Sequence, residues 1–326
     1  MKPNQAKILA LGLLALGGLS APAAQDVITK TFPVKAGGKL NMNVDRGSIQ
    51  ITTSDSGQVE VKVTRELKRS SDAEARKVFD QHKIEMSSTD NEVKIEAQNP
   101  QKFHGFSKPL NRLQVDYTVA IPARFDIDVK TAGGNIEVAD LEGKAEVHTS
   151  GGNLKLGAIK GSVKAHTAGG NITVSKSEGD ADVNTSGGDL RLGEINGNLV
   201  AYTSGGRITL EKSRGSVKAS TSGGDIRVED AYGPVTAHTS GGNVSAQLNA
   251  QPNADCLLKT SGGNVEVVLA SNLALDLDAH ASGGTVTSDF PGTLNKEKTR
   301  LTARLNGGGT GLALETSGGN VNIRSK

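Results

Sequence analysis

Tryptophan is absent from this 326-residue chain, and only six phenylalanines and three tyrosines are present. Large rings normally supply much of the volume of a thick core, so the composition argues against a conventional layered domain. A single cysteine, Cys256, excludes any internal disulfide and reads as a small core residue rather than a reactive thiol. No segment is an unbroken apolar run of the length a membrane-spanning helix needs. Hydrophobic residues are 35% of the chain, a low share for a globular protein. Charged residues are 22% with both signs interspersed, which argues against wholesale disorder. Glycine, at 41 residues, is in excess. The balance points to a thin, regular, glycine-turned β protein.

The N-terminal segment, positions 1–24, reads as a signal peptide. Lys2 and Lys7 form a basic start, Ile8–Leu19 an apolar run, and Ala21-Pro22-Ala23 a small-x-small cleavage site. The run is too short to cross about 30 Å of hydrocarbon, so the chain is expected to be exported to the periplasm, the cell surface or the medium. Cleavage takes two lysines from the 37 basic residues and none from the 35 acidic ones, so the charge balance falls to near zero. A neutral chain lacks the basic footprint that nucleic acids or anionic membranes require.

The dominant feature is internal repetition. The string T-[SA]-G-G-x-apolar begins at Thr131, Thr149, Thr167, Thr185, Thr203, Thr221 and Thr239, each eighteen positions after the last without a slip. It returns at Thr260, at Ala281 with alanine for threonine, and at Thr316. Counting from the threonine as zero, offsets 5 and 7 are apolar with a polar residue between, as in Ile172-Thr173-Val174 and Leu190-Arg191-Leu192. Offsets 14 and 16 repeat that alternation, as in Val217 and Ala219. Period two means strands with one buried face. Glycine stands at offset 12 in Gly143, Gly161, Gly179, Gly197, Gly215 and Gly233. Each unit is therefore two short strands and two glycine corners, where glycine permits positive φ and close backbone approach.

A fixed period with like residues at like offsets is the signature of a stacked coil rather than a meander. The predicted fold is an all-β, right-handed parallel β-solenoid (β-helix) of 18-residue coils over 131–326, with a loop insertion near 288–300; right-handedness is the default for parallel crossovers. Offset 4 reads Asn135, Asn153, Asn171, Asp189, Arg207, Asp225 and Asn243, and stacked amides there are expected to hydrogen-bond along the axis. A calcium β-roll is disfavoured, because its second glycine and regular aspartate are missing. His148 and His166 fall on adjacent coils, but Asn, Tyr and Ser replace histidine at the same place in later coils. An outer solvated face therefore explains them better than a metal ion.

Residues 25–130 lack the repeat but alternate over Lys39–Val44, Ser48–Thr52, Val59–Arg65, Glu92–Ala97 and Gln114–Ile121. The capping box Ser71-Asp72-Ala73-Glu74 predicts one short helix over Ala75–Gln81. Asn99–Leu110 reads as a loop. The region is expected to cap the solenoid, which would otherwise end in unpaired strand edges; a separate binding head is the alternative. At the other end little capping is legible after Val321–Ile323, so end-to-end self-association follows as an expectation.

The segment Val115-Asp116-Tyr117-Thr118-Val119-Ala120-Ile121-Pro122, followed by serial T-S-G-G corners and a glycine-rich penultimate coil, resembles a bacterial family of β-strand-repeat proteins regarded as adhesin candidates, built on a domain of unknown function. The resemblance covers roughly residues 30–326 and implies a β-helix-like fold in or beyond the cell envelope. It implies no catalytic, cofactor or metal residues, and none is assigned. The expected function is that of an exported, non-catalytic, adhesin-like or scaffold protein whose faces bind an envelope, cell-surface or matrix component. The alternative is a polysaccharide-acting enzyme on a β-helix. Such chemistry needs converging carboxylates, whereas Asp189 and Asp225 stand two coils apart, about 9–10 Å along the axis. Ice binding by a threonine array is disfavoured because the regular threonine sits at a corner.

Overall fold

The computed structural model describes residues 24–68, 70–98 and 112–326. The predicted signal peptide, up to its last residue, and the predicted loop Asn99–Leu110 lie outside the described residues. The fold is all-β with a single α-helix among the described residues, and the chain divides into two compact units, Met1–Asn153 and Leu154–Lys326.

The first unit contains β1 (Ala24–Pro33), β2 (Gly38–Val44), β3 (Ser48–Ser54), β4 (Gln58–Leu67), α1 (Asp72–Gln81), β5 (Lys83–Thr89), β6 (Glu92–Gln98), β7 (Leu113–Pro122), β8 (Phe125–Thr131), β9 (Ile136–Val138) and β10 (Ala145–Thr149). One sheet runs β1-β4-β7-β3-β9 and the other β5-β6-β2-β8-β10. The outer pairs β1/β4, β4/β7 and β5/β6 are antiparallel, and the inner ones are parallel. Antiparallel strands thus finish the ends of parallel sheets.

The coil pattern starts earlier than the repeat reveals. β2 pairs in register with β8, setting Val44 against Thr131, and β3 pairs with β9, setting Ile49 and Ile51 against Ile136 and Val138. Val44-Asp45-Arg46-Gly47-Ser48-Ile49 is therefore a degenerate T-S-G-G-N-I corner. Its one retained glycine, Gly47, has φ +112°, and a Cβ there would stand 2.5 Å from the Val115 carbonyl oxygen.

Helix α1 begins three residues before the predicted start. Ser71 caps it by accepting from the Glu74 N–H at 3.2 Å, and Ala75 and Val78 form its buried face. Strands β1 and β5 were not read in the sequence.

The second unit repeats one arrangement. Strands Leu154–Ile159, Ile172–Ser177, Leu190–Ile195, Ile208–Ser213, Ile226–Ala231, Val244–Leu248 and Val265–Leu269 follow one another in parallel in one sheet. Strands Val163–Thr167, Ala181–Thr185, Leu199–Tyr202, Val217–Thr221, Val235–Thr239 and Cys256–Thr260 do so in the other. Leu154 faces Ile172, Ile172 faces Leu190, and Leu190 faces Ile208, so like positions stack on like. The side chains at offsets 5, 7, 14 and 16 are buried, as in Leu190, Leu192, Leu199 and Ala201. The alternation seen in the sequence is thus the inside-outside alternation of the strands. Cys256 is buried among them, and burial pushes its thiol up, as does Asp255, against a hydrogen bond from the Val235 N–H.

Two expectations are corrected. From Gly151 onward the corner glycines do not adopt positive φ; among the corner glycines of the T-[SA]-G-G strings only Gly134 does, at +123°. They are required by close approach instead, since a Cβ on Gly206 would lie 1.9 Å from the Gly188 carbonyl oxygen. The last coil in sequence is also not the last in space. Strand Thr310–Thr316 lies between Cys256–Thr260 and Leu275–Ala281, and Val321–Ser325 lies between Val265–Leu269 and Val286–Ser288. The outermost coil is covered by antiparallel Arg300–Leu305, and the N–H groups of Ala281 and Val286 donate to the carbonyls of Thr299 and Lys298. This end of the stack therefore carries an antiparallel strand that the sequence did not reveal.

Candidate binding surface

The corners are internally satisfied, which determines what remains for a partner. The corner threonines are buried. The Oγ1 of Thr185, Thr221 and Thr239 donates to the carbonyls of Gly170, Gly206 and Gly224 at 2.8, 2.9 and 2.8 Å. Each also accepts from the N–H of the second glycine of its own corner, 3.3–3.4 Å away. Offset 4 forms the expected ladder, but by a different bond. The side-chain oxygen of one coil accepts from the backbone N–H of the next: Asn171 from Asp189, Asp189 from Arg207, Asp225 from Asn243 and Asn243 from Asn264, all at 2.8–2.9 Å. The bond needs only an acceptor oxygen, which explains why Asp and Asn interchange there; Arg207, at the same offset, has no side-chain acceptor. Asp189 and Asp225, the carboxylates considered for catalysis, are thus engaged as corner braces.

The outward residues of the sheet that contains Ile208–Ser213 are different. Arg191 and Arg227, at offset 6, and Arg207, at offset 4 of the coil between them, have side chains 58%, 64% and 60% exposed. Each lies beside an acid: Arg191 Nη2 is 2.9 Å from Asp189 Oδ2, Arg207 Nε 3.6 Å from Asp225 Oδ2, and Arg227 Nε 2.9 Å from Glu229 Oε1. Exposed pairs of this kind add little stability, so they are free to exchange partners. In register beyond Arg227 come Ser245 and then Glu266. The short serine between two long side chains leaves an open depression, with Arg207, Thr209, Asp225 and Asn243 along one flank. Glu211, Glu229 and Gln247 line an adjoining depression. The surface is polar and two-signed, with donors and acceptors recurring at the coil spacing. Only the alternation at offset 6 was legible beforehand; the depression depends on neighbours that differ in size.

The opposite sheet carries the histidines. His166 Nε2 is 3.3 Å from Asp182 Oδ1 and stands in register with Asn184, while His148 stands in register with Lys130. Val200 and Tyr202 expose 48% and 41% of their surface on the same sheet. Among the described residues, no group of three or more His, Cys, Asp or Glu side chains is placed to hold a metal ion.

A buried polar cluster in the first unit was not anticipated. Arg65 donates to the carbonyls of Phe79 and His82 at 2.7 and 2.9 Å, closing the C-terminal end of α1, and pairs with Asp26. His82 Nε2 lies 3.1 Å from Asp45 Oδ1. Burial pushes the Asp45 carboxyl up, but attraction and hydrogen bonding from His82 and Arg46 outweigh it, and the net shift is downward. Burial, reinforced by Asp45, pushes the Tyr117 phenol up. The cluster arises because α1 returns the chain to the β2–β3 corner, and no local motif announces it. It fixes the helix to the sheets and has no opening to solvent at His82, which is fully buried.

The family model described as Toastrack DUF4097 matches residues 38–324. Solved structures similar to this chain include a candidate adhesin from Bacteroides fragilis, at 14% identity and TM-score 0.35, covering 91% of this chain and 97% of that one. A candidate lipid-binding protein from Parabacteroides distasonis matches at 13% identity and TM-score 0.37, covering 92% and 97%. A candidate cell adhesion protein from Clostridium sporogenes matches at 13% identity and TM-score 0.23, covering 92% and 100%. At these values the likeness bears on neither ligand nor partner. No curated protein matches the sequence. The match over 38–324 takes in both the degenerate N-terminal corner and the wedged C-terminal coil, and the chain belongs to the Toastrack DUF4097 family.

Proposed function

We propose that this protein is an exported, non-catalytic, adhesin-like or envelope scaffold protein that binds an extended partner along one face of its coils. In this reading each coil is one repeat, eighteen positions long, and the stack is wound right-handed, the hand that parallel crossovers favour. The partner is an envelope, cell-surface or matrix component.

The observation that carries the reading is the division of labour within each repeat. The buried threonine, the second glycine and the offset-4 oxygen are engaged in coil-to-coil bonds, as at Thr221, Gly224 and Asp225. The outward arginine and acid of a strand, as at Arg227 and Glu229, are exposed and weakly held. A surface of many modest, regularly spaced contacts suits an extended partner, with avidity gained from several contacts at once. A basic start, an apolar run and a small-x-small site at the N-terminus support export.

The test is protease and antibody access in cells producing the full chain, before and after outer-membrane permeabilisation. Access in intact cells, or protein in the medium, is expected for the adhesin-like role. Access only after permeabilisation narrows the reading to a periplasmic scaffold. Recovery in the cytoplasm, with the segment 1–24 still attached, contradicts it.

A further inference from the structure

The out-of-order coil has a competitor for its place. The corners at Thr239, Thr260 and Ala281 follow one another at equal intervals. By sequence alone, the coil of Leu275–Ala281 and Val286–Ser288 would stack directly on the coil of Cys256–Thr260 and Val265–Leu269. Residues 310–325 stand between them instead.

Both coils stack on their neighbours by the same close approach. Gly319 approaches Gly263 as closely as Gly284 approaches Gly319, each with a Cβ position 2.2 Å from the neighbouring carbonyl oxygen. The side-chain oxygen of Asn264 accepts from Asn320 N–H at 2.8 Å, and that of Asn320 accepts from Thr285 N–H at 2.9 Å, so either coil can continue the ladder.

Charge separates the two orders. Glu315 is in register with Lys259 on one side and His280 on the other, and its Oε2 lies 2.6 Å from Lys259 Nζ. The Asp255 carboxylate accepts from the N–H of Gly311 at 2.7 Å, and Gly311 is in register with Asp276. Direct stacking of the sequential coil would take the Glu315 carboxylate away from Lys259 and bring Asp276 beside Asp255. Like charges opposite one another destabilise a sheet. The connection into residues 310–325 is a tight turn with positive φ at Asn306, Gly307 and Gly308, a place where a few residues can absorb a change of direction.

We propose that residues 310–325 form a displaceable wedge, selected by Glu315 between Lys259 and His280, whose departure lets coil 275–288 close onto coil 256–269. The element is bistable because a folded stack exists with the wedge in or out, and charge biases the choice. A released wedge presents a strand-forming segment to another chain while the stack stays closed. The proposal concerns the second unit alone and does not depend on the proposed function.

The test is proximity cross-linking in the full chain with Cys256→Ala as background. Leu257, Ala313 and Asp278 face outward in register on the three coils. Adjacent coils are separated by about 4.8 Å and alternate coils by about twice that. A short bifunctional thiol reagent is expected to link Leu257→Cys with Ala313→Cys efficiently, and Leu257→Cys with Asp278→Cys at background level. Adding Glu315→Lys, or the milder Glu315→Gln, is expected to raise the second link several-fold and lower the first. The proposal is overturned if the second link equals the first in the chain with Glu315 intact, or if neither Glu315 variant raises it. Loss of both links in both variants also overturns it, because closure of the slot requires a folded second order.

Discussion

The Thr203 hydroxyl donates to the Gly188 carbonyl of the neighbouring coil at 2.9 Å and accepts from the Gly206 N–H of its own corner at 3.2 Å. One buried oxygen thus joins two coils and shapes a turn. Thr203→Val keeps the shape and removes both bonds, leaving a buried carbonyl and N–H without partners. A loss of about 1–3 kcal/mol is expected, with Thr203→Ser recovering most of it. Equilibrium denaturation of the three proteins checks this, and a Val variant as stable as the parent contradicts it.

The two glycines of a corner are not equivalent. A Cβ on Gly206 meets the Gly188 carbonyl oxygen at 1.9 Å, whereas a Cβ on Gly205 lies 3.4 Å from the Gly187 carbonyl oxygen. Gly206→Ala forces adjacent coils apart and is expected to cost about 3 kcal/mol. Gly205→Ala is expected to stay within about 1 kcal/mol of the parent. Equal effects on the melting temperature would show that close approach is not the reason for the pair.

Asp45 links pH to the stability of the first unit. Its carboxyl is held below the ordinary value of 3.8 by His82 and Arg46, despite burial. A depressed folded-state pKa contributes stability above the unfolded-state value, and that contribution is lost as the pH falls through the folded-state value. Stability is therefore expected to decline below about pH 4, with a shallower decline in Asp45→Asn, which is also less stable at neutral pH. Denaturation of parent and variant across pH 2–7 (roughly the carboxylate range and above) decides it; parallel acid limbs contradict the assignment.

Much of the second unit was legible because its determinants are local and recur. Ile208-Thr209-Leu210 announces a strand by alternation, and Thr203 to Gly206 announces a corner by repetition. What the sequence concealed depends on contacts between distant segments. The β2–β3 corner keeps one glycine of the motif, Gly47, and is recognised only when Val44 is set beside Thr131. The wedge at 310–325 could not be read, since like repeats do not state their own order and the decisive residue, Glu315, is an ordinary surface acid in isolation. The role assigned to glycine was half right in kind: close approach is required at Gly206, and positive φ is not. On the candidate surface, the alternation gives Thr173 and Arg191 as outward, but the depression beside Arg227 and Ser245 arises from differences in side-chain size across coils.

The central claim is that the outward arginine-acid face, and not the corners, makes the contacts with a partner. Capture of envelope and matrix fractions by the purified full chain, compared with Arg191→Glu/Arg227→Glu and with Lys218→Glu on the opposite sheet, tests it most directly. All three proteins are expected to melt alike, because these side chains are exposed. The double arginine variant is expected to lose at least tenfold in capture (about 1.4 kcal/mol), while Lys218→Glu retains it. Equal capture by the double variant and the parent, at equal stability, contradicts the account.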